Sequence, residues 1–168
     1  MKSHSFHNRP ETDEKRVKIR FDLVQNADGY PPAKTEYLWA LELGNGRYQI
    51  DNIPFFVIGV SCFDVVSAVK GSDGVLCGDH LLEEKGHSTI RVILLDHPGA
   101  DSIETRSKEL RSALKVRGCS TEQSHISGLI SADIPPEVDF QNLRSFLQKG
   151  SDDGLWDFEE AAIAHAQS

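Results

Sequence analysis

The stretch RYQIDNIPFF (47–56) places two polar side chains, Asp51 and Asn52, just before a proline and two phenylalanines. Asx residues in such positions often bond to nearby backbone and form a turn, and a proline keeps the residue before it extended. The pattern therefore favours a polar corner, with Phe55 and Phe56 anchoring the chain in the core. The alternative is functional: the carboxylate and the amide line a cleft.

A second stretch, GHSTIRV (86–92), carries His87, Ser88 and Arg91. A histidine can act as a general base and a serine as a nucleophile. Adjacency in sequence is weak support, because catalytic triads are assembled in space, and no Gly-x-Ser-x-Gly elbow occurs. A histidine that only hydrogen-bonds where a strand begins is the simpler interpretation. The candidate cleft residues are Tyr30, Asp51, Asn52, His87, Ser88 and Arg91.

The stretch SDDGLWDFEEA (151–161) holds five carboxylates around two aromatic residues. On a strand, Trp156, Phe158 and Glu160 would point to one side and the acids between them to the other. Three interpretations stay open: solvation of an edge strand, docking of a basic partner, and paired-acid catalysis. The candidate docking residues are Asp152, Asp153, Asp157, Glu159 and Glu160.

Other motifs give weaker signals. Cys77 and His80 could ligate a metal, but a structural zinc needs four ligands in paired spacing, so no metal site is predicted. No phosphate-binding glycine motif occurs, so no cofactor is predicted. The basic run KRVKIR (15–20) is flanked by acids and would spread along one strand face. We therefore predict no nucleic-acid partner.

The elements that would position these residues change character near residue 87. Before it there are only strand signals, such as the alternation in VKIRFDL, and the Asn-Gly pair of GNG (44–46) favours a tight hairpin. Five strands without a helix indicate a small antiparallel barrel or a curved sheet. These strands are predicted at 17–23, 35–43, 47–53, 63–71 and 74–84.

After residue 87, strands and helices alternate. STIRVILLD (88–96) is apolar on both faces, which is typical of a central strand covered on both sides. Asp101 and Glu104 have capping-box spacing at the start of a helix, and Gly118 fits its end. The predicted helices are 100–118 and 136–150, and the remaining strands are 119–124, 128–135 and 155–163.

The order strand-helix-strand-strand-helix-strand predicts a ferredoxin-like βαββαβ unit. The fold class is therefore α+β, with the N-terminal β unit, or a second copy of the chain, covering the free sheet face. The predicted organisation is a flexible tail (1–15), a β unit (16–86) and the ferredoxin-like unit (87–165), with one continuous domain as the alternative.

Composition narrows the functional classes. The 168 residues are 39% hydrophobic and 26% charged, as in ordinary globular proteins. No apolar run approaches the ~20 residues of a membrane span, and the N-terminus lacks the apolar segment of a secretory signal. Three cysteines without metal-type pairing indicate reduced thiols in a cytoplasmic protein. The net charge of −8 disfavours nucleic acid and anionic membranes, and suits solubility or a basic protein partner.

An ordered set of motifs resembles a known bacterial family, catalogued as domain of unknown function 4265. The motifs are DGYPP (28–32), LW (38–39), GRYQIDNIPFF (46–56), GVSCFDVV (59–66), GHSTIRVIL (86–94) and IPPEVDF (134–140). The resemblance spans roughly residues 16–163. It implies no activity and supplies no catalytic residues.

The sequence thus favours a non-enzymatic protein-binding module, such as a regulator or an immunity-type inhibitor that masks a basic partner. The alternative is a small-molecule-binding protein or hydrolase with its site between the two halves. A homodimer that pairs through the edge of the second sheet is the third possibility.

Overall fold

The structure is a computed structural model that describes residues 15–165, so the predicted tail lies outside the described residues except for Lys15. It is an α+β fold with two sheets and two helices. In chain order the elements are β1 Arg16–Asp22, β2 Thr35–Gly44, β3 Arg47–Ile50, β4 Val65–Lys70, β5 Leu76–Glu83, β6 Ser88–Leu94, α1 Ile103–Val116, β7 Ser120–Gln123, β8 Leu129–Ile134, α2 Phe140–Asp152 and β9 Trp156–Ala162.

The first sheet consists of β1 to β5 in chain order, with each strand antiparallel to the next. It curves so strongly that β1 also meets β5, in parallel, over two residue pairs. Alternate apolar side chains point inward and form one buried cluster, which includes Ile19, Leu38, Ala40 and Ile50. Of the two predicted forms, the curved sheet is thus the one observed.

The hairpin between β2 and β3 follows directly from its sequence. Its central residues, Asn45 and Gly46, have φ angles of +54° and +71°. Positive φ at both central positions is the geometry of a type I′ turn, which matches the right-handed twist of paired strands. The Asn-Gly prediction is confirmed.

The second sheet has the order β7-β8-β6-β9, and all neighbouring strands are antiparallel. Ile90, Val92 and Leu94 of β6 pack against Leu114 of α1 and Leu147 of α2 in a second buried cluster. We call this side the helix face. The two halves of the chain therefore have separate apolar cores.

The start of α1 differs from the prediction. Its N-cap is Ser102, whose Oγ accepts the N–H of Thr105 at 3.2 Å, so the capping box from Asp101 to Glu104 is wrong. Serine and aspartate are both good N-caps, and two candidates in succession cannot be ranked from sequence. Gly118 has φ +89° just past the end of the helix, as predicted.

The opposite side of the second sheet, the junction face, faces the first sheet. Its cover is residues 51–64, the crossing segment, which links β3 to β4 without regular structure. The prediction of apolar character on both faces is only half right, because this face carries buried Thr89 and Arg91 beside Ile93 on β6, and Ser131 and Asp133 on β8. The central strand is covered on both sides, but by a polar contact on one of them.

Candidate functional site

The crossing segment binds the junction face through its backbone. Pro54 O accepts the hydroxyl of Ser131 at 2.6 Å, and Phe55 O accepts a guanidinium N–H of Arg91. Further along, Gly59 N donates to Ala161 O at 2.9 Å. Buried carbonyls need such partners, because an unpaired one costs about as much as a lost hydrogen bond. The polar residues of the sheet therefore fix the path of the segment.

Glu36 of β2 holds the same segment from the other side. Its carboxylate accepts the backbone N–H groups of Phe55, Phe56 and Val57 at 2.7, 2.8 and 2.8 Å. Sequence reasoning missed this role. A signal was present, because Glu36 falls on the inward period of β2 with Leu38 and Ala40, where an acid needs a partner.

Phe55 and Phe56 do not anchor the chain in the core as predicted. Phe55 and Phe56 are only partly buried, whereas Ile53 and Val57 are buried at 4% and 5% exposure. Phe56 instead lies edge-on to Tyr30, with the ring centroids 6.3 Å apart. The two aromatic rings form a wall beside the junction face.

Arg91 is the most unusual residue of this face. Its side chain is 3% exposed, and its Nε lies 3.1 Å from Oε2 of Glu159, which is 41% exposed. Its Nη1 donates to Phe55 O and its Nε has the Glu159 carboxylate, whereas Nη2 makes no hydrogen bond among the described residues. Buried donors without acceptors are rare in folded proteins, and each one calls for an explanation.

The strand register arranges the junction face in rows. Arg91 lies between Ser131 and Glu159, and the next row, about 7 Å further along the strands, places Ile93 between Leu129 and Asp157. A polar row therefore adjoins an apolar row that ends in a carboxylate.

These two rows contribute to a cavity of about 590 Å³ at the junction of the two sheets, which we call the junction cavity. Its other walls are Tyr30, Pro32 and Phe56 from the first half of the chain, and Ile126 from the β7–β8 turn. The volume lies within the range of small-molecule sites, which are mostly apolar with a few placed polar groups. The junction cavity has this composition.

A larger cavity of about 720 Å³ lies on the other side of Tyr30 and Phe56, against β1 and β5. Its cation, Arg20, pairs with Asp73 at 2.9 Å and with Asp22 at 3.4 Å. Arg20 thus pairs with two carboxylates, whereas Arg91 pairs with one and its Nη2 makes no hydrogen bond among the described residues, so the junction cavity is the better candidate site.

Asp51 and Asn52 line neither cavity. Asp51 pairs with Arg16 at 2.8 Å, on the outer side of the first sheet. Asn52 Oδ1 accepts the N–H of Trp39 at 2.8 Å, which ties the corner to β2. The structure thus separates these two residues from the other cleft candidates.

His87 lies at the far end of the junction face from the cavity. Its Nδ1 is 2.9 and 3.0 Å from the two carboxylate oxygens of Asp133, and its ring contacts Phe63 edge-on. Burial raises the pKa of Asp133, and the hydrogen bond from His87 offsets part of that increase. Burial also raises the pKa of nearby Asp64, whose carboxylate accepts the N–H groups of Ser61 and Lys85. Asp133 and Asp64 therefore take part in the packing between the crossing segment and the second sheet.

Ser88 points to the helix face, away from His87. Its Oγ is fully buried, lies 2.6 Å from Nδ1 of His165 and accepts the N–H of Ala164 at 2.9 Å. Because Nε2 of His165 donates to Pro135 O at 3.0 Å, Nδ1 accepts the serine hydroxyl. The pair fastens the end of the described chain, and sequence reasoning missed the histidine because the two residues are 77 positions apart.

The five acidic candidates are divided between different surroundings. Glu160 pairs with Arg144 of α2 at 2.6 Å, and Asp153 pairs with Lys149 at 2.7 Å. Asp152 accepts a hydrogen bond from Gln148 at 2.8 Å. Asp157 and Glu159 instead line the junction cavity. The alternation predicted for 156–160 is observed, since Trp156 and Glu160 face the helices.

The remaining candidates from the sequence are the cysteines and His80. Cys62, Cys77 and Cys119 are free thiols, and His80 lies 2.8 Å from Asp79. Within residues 15–165 no helix has the length and apolar character needed to cross a membrane.

Fold and site together define a class: an α+β protein in which the first sheet and its crossing segment cover the polar face of the second, leaving a cavity at the junction. The chain belongs to the family described as Domain of unknown function (DUF4265), whose model matches residues 36–158. The resemblance seen in the sequence is thereby confirmed.

One solved structure supports the fold. It is described as "Novel crystal structure of a hypothetical protein from Neisseria gonorrhoeae". It is 20% identical to this chain, has a TM-score of 0.71, and covers 89% of this chain and 98% of its own. At this identity the similarity shows the fold alone. A search of the curated proteins finds no match.

Proposed function

We propose that this protein binds a small, mainly apolar molecule in the junction cavity and has no catalytic role. The observation that carries the proposal is Arg91, a guanidinium at 3% exposure whose Nη2 has no hydrogen-bond partner among the described residues, in a cavity of about 590 Å³. A ligand that supplies a hydrogen-bond acceptor would satisfy it.

The walls indicate the rest of the ligand. Ile93, Ile126 and Leu129 offer apolar contact on one side, and the rings of Tyr30 and Phe56 on the other. Burying apolar ligand surface there would supply most of the binding energy, at about 25 cal/mol per Å² before the costs of association. The acceptor would fix the orientation.

Binding is favoured over hydrolysis by where the possible nucleophile and base lie. Ser88 is fully buried on the helix face and bonded to His165, and His87 is bonded to Asp133. Neither residue lines the junction cavity. The charged residues of the cavity, Arg91 and the carboxylates of Asp28, Asp157 and Glu159, can bind and orient a ligand without forming a covalent intermediate.

The test is a titration of ¹⁵N-labelled protein with 3-phenylpropanamide, a neutral probe with an apolar body and a carbonyl acceptor. We expect chemical-shift changes confined to the amides around Tyr30, Ile93 and Ile126. The substitution Ile126→Trp should fill the cavity and abolish the changes. The matched control is Val116→Trp, which adds the same ring at a position of α1 that is 86% exposed and should leave binding intact. Shifts that survive Ile126→Trp would contradict the proposal.

Docking of a basic protein stays a prediction of lower rank. Three of the five acidic candidates, Asp153, Glu159 and Glu160, already pair with a lysine or arginine of the same chain. Of the five, only Asp152 and Asp157 form no ion pair among the described residues, so only their charges are left for a basic partner to neutralise. The surface therefore offers a basic partner fewer unpaired carboxylates than the sequence predicted.

Two finer classifications are also proposed. The antiparallel order β7-β8-β6-β9, with a helix after β6 and another after β8, supports a ferredoxin-like second unit. Three free cysteines support a cytoplasmic location. Homodimerisation through an edge of the second sheet stays a prediction that a mass measurement in solution would test.

A further inference from the structure

The charges around the junction cavity restrict the ligand further, given the proposed function. Asp28, Asp157 and Glu159 contribute carboxylates to its lining, against the one guanidinium of Arg91. Arg91 and Glu159 pair with each other, whereas Asp28 and Asp157 form no ion pair among residues 15–165. The cavity therefore combines a buried hydrogen-bond donor with an excess of negative charge.

This combination argues against simple anions and simple amines. A carboxylic acid or a phosphate could bond to Arg91, but would meet the uncompensated carboxylates of the lining. An amine without an acceptor could pair with the acids, but would leave the buried guanidinium nitrogens unsatisfied. The ligand that suits both features carries a cation and an acceptor close together on an apolar body.

The register of the strands sets the spacing of these groups. Glu159 and Asp157 are two residues apart on one face of β9, so their side chains stand about 7 Å apart. An ammonium group between them could approach both carboxylates. Arg91 of β6 is paired with Glu159 of the neighbouring strand β9, and Ile93 and Leu129 lie in the next row.

We propose that the ligand is an apolar α-amino acid, either free or as the first residue of a peptide. Its ammonium would lie between Asp157 and Glu159, its carbonyl or carboxylate oxygen would accept from Arg91, and its side chain would cover Ile93 and Leu129. An α-amino acid places its ammonium and its acceptor on adjacent carbon atoms, as this arrangement requires.

The experiment compares probes that differ by one group, again by NMR titration of the labelled protein. The probes are L-phenylalanine and the dipeptide Phe-Gly, N-acetyl-Phe-Gly without the ammonium, phenethylamine without the acceptor, and 3-phenylpropanamide. We expect the better of the first two to bind at least about tenfold tighter than the last three, since each of those lacks a charge-assisted hydrogen bond. The preference between phenylalanine and Phe-Gly then distinguishes a free amino acid from a peptide terminus.

Asp157→Asn provides the test at the level of the protein. Asp157 is exposed, so its replacement should leave the fold intact. We expect it to weaken the better amino-acyl probe about tenfold and to leave 3-phenylpropanamide unchanged. The matched control is Glu160→Gln, in the same strand but directed to Arg144 of α2, which should change neither affinity.

The outcomes separate the two proposals. If 3-phenylpropanamide binds and the ammonium adds nothing, or if acetylation leaves the affinity unchanged, the amino-acid inference is wrong while the binding cavity stands. If none of the five probes binds at millimolar concentration, both proposals are wrong. Loss of amino-acyl binding in Glu160→Gln to the same extent as in Asp157→Asn would also overturn the inference.

Discussion

The helix face of the second sheet carries Ile90, Val92 and Leu94, whereas the junction face carries Thr89, Arg91 and Ile93 from the same strand. Both faces are covered, but the covers are held differently. The helices are held mainly by non-directional apolar burial, to which buried Arg106 of α1 adds hydrogen bonds to Leu95 O and Leu155 O at 2.8 and 2.7 Å. The crossing segment is held by hydrogen bonds that define where each of its carbonyls must lie.

This difference bears on where the candidate site lies. Apolar side chains on the helix face can interdigitate and fill space to the density of a protein interior. On the junction face, the crossing segment is positioned by discrete bonds to Ser131 and Arg91, and apolar filling is incomplete beside them. A cavity next to a buried charge is the result.

The largest effect should come from the helix face. Leu147 of α2 is fully buried in the apolar cluster, so Leu147→Ala should lower the free energy of unfolding by about 2–5 kcal/mol through lost transfer energy and a residual cavity. Chemical denaturation measures it. Val116→Ala, at a position of α1 that is 86% exposed, is the control and should change stability by less than about 0.5 kcal/mol. A loss below 1 kcal/mol at Leu147 would mean that the helix face is not a packed core.

On the junction face a single hydrogen bond should matter, but less. Ser131→Ala removes the donor to Pro54 O and leaves a buried carbonyl unpaired, so we expect a loss of about 1–3 kcal/mol. Ser145 provides the control, because its hydroxyl also donates to a backbone carbonyl, that of Gln141, but at an exposed position of α2. Equal losses in the two alanine variants would show that the bonds of the junction face are not special.

The same contrast shows how far sequence reasoning reaches. Within residues 15–165, periodicity located all nine strands and both helices to within a few residues, because each apolar stripe is a local pattern. It predicted an apolar junction side for β6 from Ile93 and Leu95, although Arg91 lies on that side too. A charge on an inward period can be seen in a sequence, but its partner cannot.

The candidate site was predicted only in parts. Tyr30 and Arg91 were assigned to a cleft, and Asp157 and Glu159 to an acidic docking surface. The pairing of β9 with β6 joins Arg91 to Asp157 and Glu159, although Glu159 is 68 positions after Arg91 in the chain. Tyr30 joins them from the first half of the chain, where its hydroxyl donates to Oε2 of Glu159 at 3.4 Å. Glu36, Asp133 and His165 were missed, because their roles depend on contacts made only after the two sheets pack.

The junction face should also respond to pH, through its buried carboxyl Asp133. The unfolded Asp133 carboxyl titrates near ~3.9, and burial raises its folded pKa above that value. The protonated group therefore contributes its full stability below pH ~3.9, and this contribution is lost as the pH rises through the folded pKa.

The variant Asp133→Asn lacks this dependence. We expect the unfolding free energy of the wild type minus that of the variant to fall as the pH rises above about 3.9 and through the raised folded pKa of Asp133. Denaturation curves at several pH values measure the difference. A difference that grows with pH would mean that the bond from His87 outweighs burial, and that the folded pKa of Asp133 is lowered.

The smallest effect concerns the reactivity of the cysteine thiols, which reports whether the polar junction excludes water as well as the apolar core does. Burial raises the pKa of Cys62, in the crossing segment, to about 12, and that of Cys119, in the helix-face cluster, to about 11. The thiolate is the reactive form, so both should resist iodoacetamide near pH ~8, whereas the partly exposed Cys77 of β5 should be alkylated. Peptide mapping by mass spectrometry measures each site, and protein unfolded in urea, where all three should react, is the control.

Slow alkylation of Cys62 and Cys119 alike would show that the junction excludes water even though it is built from polar groups. If Cys62 reacts as fast as Cys77 in the folded protein, the crossing segment opens readily. Its hydrogen bonds would then fix it to the second sheet less firmly than apolar packing fixes the helices.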